Sequence, residues 1–157
     1  MGPQISIYDA SNTNLVNAWE VGTLKAQKPS EVLTVKIWNN KGGITAVSDL
    51  KECYLMVLDA LGDTANDDVA KEKWVQVNVP SIDGNSNVWT PIGGTEGKDI
   101  KANAVNITEN TISGQANDGI EANSPENVAT VNLRVVAPPN STPGDKNFKC
   151  RLVAWFS

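Results

Sequence analysis

The run Val32-Leu33-Thr34-Val35-Lys36-Ile37-Trp38, cut off by Asn39-Asn40-Lys41-Gly42-Gly43, limits the fold of this chain more than any other part. Leu33, Val35 and Ile37 alternate with Thr34, Lys36 and Trp38, the period-2 pattern of a strand with one buried face. Asn and Gly then stop it, because both tolerate the positive φ that turns demand. Alternation sets Trp38 with Thr34 and Lys36, away from the core, and makes it a candidate contact residue at a strand edge.

Similar runs recur, with turn residues between them. Gln4–Tyr8 aligns Ile5 and Ile7, and Cys53–Leu58 is apolar on both faces. Trp74–Val79 aligns Val75, Val77 and Val79 before Pro80 ends it. Asp99–Val105 is weaker, with Ile100, Ala102 and Ala104 in phase. Val128–Val136 aligns Val131, Leu133 and Val135, and Phe148–Phe156 aligns Phe148, Cys150, Leu152, Ala154 and Phe156. About seven strands at this spacing predict an all-β fold, an antiparallel immunoglobulin-like β-sandwich with long loops. One domain over 1–157 is expected, since a chain of 157 residues buries a core without staples.

Between the last two strands, Ala137-Pro138-Pro139-Asn140-Ser141-Thr142-Pro143-Gly144-Asp145 must be a crossover or corner, because its prolines cannot donate to a ladder. Asp63–Lys73 has too few apolar positions for a buried stripe and is expected as loop, or at most one or two helical turns. Asn106–Glu126, rich in Asn, Gly, Ser and Thr, reads as a long hairpin or excursion.

The net charge of −5 is the wrong sign for a protein that relies on phosphate contacts, so no nucleic-acid partner is expected. No segment approaches the roughly 18 apolar residues of a membrane span. No cationic start followed by an apolar run marks a secretory signal, which predicts a chain made and retained in the cytoplasm unless it leaves within a particle or by lysis, with no membrane partner. Cys53 and Cys150 each lie in an apolar run and are expected as two buried thiols, with a disulfide as the alternative.

The absence of histidine removes the usual general base and every Ser-His or Cys-His arrangement. Two carboxylates would suffice for glycoside hydrolysis, but Asp63, Asp67 and Asp68 sit in polar segments that read as solvated. Asp83-Gly84-Asn85-Ser86-Asn87 has Val88 where a calcium loop needs glycine and Gly94 where it needs an acid, so it reads as a turn. Gly93–Lys98 has the wrong glycine spacing for a phosphate loop. The expectation is no enzyme, no cofactor and no metal.

Surface contact is the remaining chemistry. Trp74 and Trp89 are candidates for stacking on sugars if they are exposed, which keeps a carbohydrate-binding or cell-surface adhesion module as the alternative function. Alternation puts Lys149, Arg151, Val153 and Trp155 on the outer side of the last strand, and Arg134 and Val136 on the outer side of the one before. If those strands pair, Arg134, Arg151 and Trp155 form a basic and aromatic patch, a composition favoured at interface centres.

Two passages carry a likeness. One runs through Trp19-Glu20-Val21-Gly22-Thr23, Val35–Gly43 and Ala46-Val47-Ser48-Asp49; the other joins Thr90-Pro91-Ile92-Gly93-Gly94 to Ala137–Gly144. Together they resemble small Ig-like virion proteins of tailed phages and prophages of Gram-positive bacteria. The resemblance covers most of the chain, although its motifs are turns and strand edges. It implies a virion structural protein, either a capsid decoration protein or a tail component. The partner would be the major capsid protein or another virion protein, and a homo-oligomer is implied. It names no functional residues.

Overall fold

The computed structural model describes residues 1–62 and 67–156. Among these residues eight strands form two antiparallel sheets, as alternation predicted for the class. They are β1 (Ile5–Asp9), β2 (Leu33–Asn39), β3 (Lys51–Asp59), β4 (Val75–Asn78), β5 (Thr90–Ile92), β6 (Lys98–Asp99), β7 (Val128–Val135) and β8 (Phe148–Trp155). One sheet has the order β1-β2-β7-β4-β5 and the other β6-β3-β8. Between their facing sides lies a core of alternating positions, among them Val35, Ile37, Val57, Val77 and Val131.

The strand expected over Asp99–Val105 is paired only at Lys98 and Asp99. Ile100, Ala102 and Ala104 are nevertheless all buried, in the phase predicted. Their backbone bonds scatter: Ile100 donates to Cys53, Ala102 to Thr111 and Asn103 to Val128, so no single ladder forms. Pro80 does more than end β4. It opens a one-turn helix, α2 (Pro80–Asp83), where its missing N–H costs nothing. The Asp63–Lys73 segment contains the one-turn α1 (Asp68–Lys71), capped by the Asp67 carboxylate on the Val69 N–H, while 63–66 lie outside the described residues.

The turn that stops β2 is tied down by buried asparagines. Asn39 is fully buried; its amide donates to the Ser48 and Ile112 carbonyls and its Oδ1 accepts the Gln4 N–H. Asn40 adopts φ 63°, and its amide donates to the carbonyls of Thr45, Gly114 and Gln115 at 2.9, 3.0 and 3.3 Å. Asn127 donates to Asn39, Ser113 and Gln115. This is how the irregular excursion 106–126 is fastened, with Ile112 bridged to Leu50 and fully buried. Gly43 is required here, since a Cβ would lie 1.9 Å from Asn40 Oδ1.

The immunoglobulin arrangement has sheets A-B-E-D and C-F-G. Here β1-β2-β7-β4 and β3-β8 occupy A-B-E-D and C-F, with β5 and β6 added at the other ends. Among the described residues no strand fills the seventh position beyond β8. Its place is an apolar groove of about 630 Å³ between β8 and the β1–β2 side, lined by Ile7, Leu33, Val35, Phe148, Cys150 and Leu152. Trp19 reaches into it and meets the Phe148 ring edge-on at 5.6 Å.

Candidate interaction surface

The four candidate contact residues are not brought together. β7 sits between β2 and β4, whereas β8 pairs with β3 in the other sheet. Arg134 and the Arg151–Trp155 pair therefore face opposite sides of the sandwich. The expected combined patch does not exist. Similar alternation on two successive strands cannot reveal that a proline-rich crossover sends them to different sheets.

Arg134 belongs to a self-satisfied polar face. Its Nε donates to Gln76 Oε1 at 2.7 Å, and its guanidinium lies 4.3 Å from the centre of the Trp89 ring. Beside it, Thr34 donates to Asn132 and Asn132 donates to Asn78. Trp89 is thus covered by a cation, and Trp74 is buried in the core. Trp74 therefore offers no open ring face to a sugar, whereas Trp89 is half-buried with one face against Arg134.

Trp38 does point away from the core, but none of its surface is exposed. The loop after β1 covers it, with the indole N–H donating to Asn12 Oδ1 at 2.8 Å and Lys41 Nζ 5.4 Å from the ring centre. It is a packed residue and not a contact edge. Asp9 holds that loop, accepting from the Thr13 and Asn14 N–H groups and the Ser11 hydroxyl. The Thr13 N–H first, then the Ser11 hydroxyl, draw the Asp9 carboxyl down from 3.8 to about 2. Because the folded value is the lower one, the carboxylate contribution is complete above 3.8 and fades as pH falls through about 2. The Trp38 indole N–H resonance should therefore move over that interval and stop moving in Asp9→Asn. An indole signal indifferent to pH there would uncouple the loop from the carboxylate.

The cysteines separate as well. Cys53 is buried and apolar surroundings push its thiol up to about 11. Cys150, expected to be buried, is exposed because its strand is an edge and it faces the groove. Its thiol is still pushed up, to about 12, by loss of solvation. The groove reconciles the two: solvent reaches the sulfur through an open mouth, but the walls around it are hydrocarbon. Both thiols are free.

What remains is the outer side of the three-stranded sheet. Across β3 and β8, Met56 faces Arg151, Tyr54 faces Val153 and Lys51 faces Trp155. Trp155 is 68% exposed, while Tyr54, Met56 and Val153 are half-buried by their neighbours. Lys51, Lys149 and Arg151 enter none of the ion pairs among the described residues. A chain of net charge −5 thus displays three cations and an exposed tryptophan on the β3–β8 part of one face, with the exposed Asp99 opposite Tyr54 at its β6 end. Tyr54 and Met56 were missed as members of it, although the doubly apolar run Cys53–Leu58 was their signal.

In the Asp83–Asn87 segment, Asp83 ends α2 and Gly84, at φ 81°, opens a bend through Asn87. The Asp83 carboxylate is taken by Lys98 at 2.7 Å and by the Val79 N–H. Among the described residues no group of three His, Cys, Asp or Glu is placed to hold a metal ion. No helix among them is long and apolar enough to cross a membrane. Compared with known proteins, the chain matches no family model, no curated protein and no solved structure.

Proposed function

We propose that this chain is a non-enzymatic virion structural protein of a tailed phage, a decoration protein that binds the assembled head. The observation that carries the reading is the strip of Lys51, Lys149, Arg151, Tyr54 and Trp155 on the outer side of a hydrogen-bonded sheet. Such a surface suits a fixed lattice: Trp and Arg combine large buried area with hydrogen bonding, and the sheet holds them without loop entropy. The sequence likeness to Ig-like virion proteins supports the same reading. Each contact is modest, and repetition over a symmetric shell supplies the avidity. Assembly then takes place in the host cytoplasm, and the protein leaves with the particle.

Capsids made without this protein provide the test. Purified protein should bind them, more weakly as salt rises, and Trp155→Ala should weaken binding by about tenfold or more. No binding at any salt concentration would end this reading.

A further inference from the structure

Four strands end the two sheets, and they are unequal. β5 has three residues, β6 two and β1 five, whereas β8 offers an edge of eight that no strand pairs among the described residues. Short edges are a common protection against strand addition, and β8 lacks it. It contains no proline or glycine, and beyond it lies the apolar groove where a seventh strand would sit.

The outer face of β8 is also asymmetric along its length. Lys149 and Arg151 occupy the first half, Val153 and Trp155 the second. Antiparallel pairing of two such strands about a two-fold axis lays the cationic half of each against the apolar half of the other. The axis keeps outer faces together, so it must pass through a residue. At Arg151 it would set that cation against its own copy, which is unfavourable. At Leu152, Lys149 faces Trp155 of the partner subunit and Arg151 faces Val153 of the partner subunit. Inside, Phe148 faces Phe156 of the partner subunit and Cys150 faces Ala154 of the partner subunit. An axis at Val153 gives a shorter ladder.

We propose that β8 is a homotypic edge: two copies join antiparallel through β8 about an axis at Leu152, making one six-stranded sheet. The pattern is self-complementary, as a two-fold interface requires. Lysine beside an aromatic ring replaces a like-charge contact with an attractive one. The inward side chains of the second β8 then close the mouth of the groove.

The test needs no capsids, so it is independent of the virion reading. By light scattering on a sizing column, the protein should run at twice the 16.8 kDa chain mass at high concentration. Trp155→Lys, a change at an exposed position, should place lysine against Lys149 of the partner subunit and shift the protein to monomer. Adding Lys149→Glu to it should restore the dimer. In a separate variant, Ala154→Cys should form an intermolecular disulfide with Cys150 under mild oxidation, and no such band should appear when Cys150→Ser is added. A wild-type protein that stays monomeric, or a dimer unaffected by Trp155→Lys, would overturn the proposal.

Discussion

Asn40→Asp, a change of almost no volume, should cost about 3–5 kcal/mol of stability at neutral pH. The Asn40 amide donates to three carbonyls, those of Thr45, Gly114 and Gln115, and the residue is 6% exposed. A carboxylate there turns two donors into a charged acceptor aimed at three carbonyl oxygens. The site will resist ionisation and raise the carboxyl pKa in the folded state. The sign follows: the penalty is least at low pH, below the unfolded value near about 3.9, and grows as pH rises through the raised value. Asn40→Gly separates the contributions. Glycine keeps the φ of 63° without strain and loses only the hydrogen bonds, which predicts a smaller loss of about 1–3 kcal/mol. Urea unfolding of both variants across pH provides the check. Equal losses, or a penalty for Asp that shrinks with rising pH, would refute this account.

Trp38→Ala should cost about 3–5 kcal/mol, the range for deleting a large buried aromatic side chain. The ring is fully buried on the outer side of β2, between the strand and the loop carrying Asn12. Trp38→Phe should cost less, because it keeps most of the packing and loses the indole N–H to Asn12 bond, worth about 0.5–1.5 kcal/mol. Thermal and denaturant midpoints of the two variants would measure the difference. A near-neutral alanine variant would mean that the loop, and not the tryptophan, organises this face.

Both predictions fall on the passage that the sequence marks most strongly, and its legibility was uneven. The alternation of Leu33, Val35 and Ile37 with Thr34, Lys36 and Trp38 was readable because pleating obliges neighbouring side chains to opposite sides. The burial of Trp38 was not, since the loop that covers it is recruited through Asn12, with no periodic signal. Asn39 and Asn40 read as turn residues, which they are. Their role in fastening the 112–115 segment depends on partners more than 70 positions away. β5 escaped notice because three residues beginning Thr90-Pro91 show no period at all.

The contact face shows the same division. That Arg151, Val153 and Trp155 share a side of β8 follows from the chain alone. Their neighbours, Met56 and Tyr54 rather than Arg134, follow only from pairing.

Local chemistry determined the longer strands β2, β4, β7 and β8, the alternation of sides along each, and where prolines and glycines break the ladders. These follow from steric and hydrogen-bonding rules acting over a few residues. Only the tertiary structure decided that β7 and β8 part company, that Cys150 opens onto a groove, and that β8 is left as the long free edge. Those outcomes turn on which distant strands share hydrogen bonds, a choice made by the packing of the whole core.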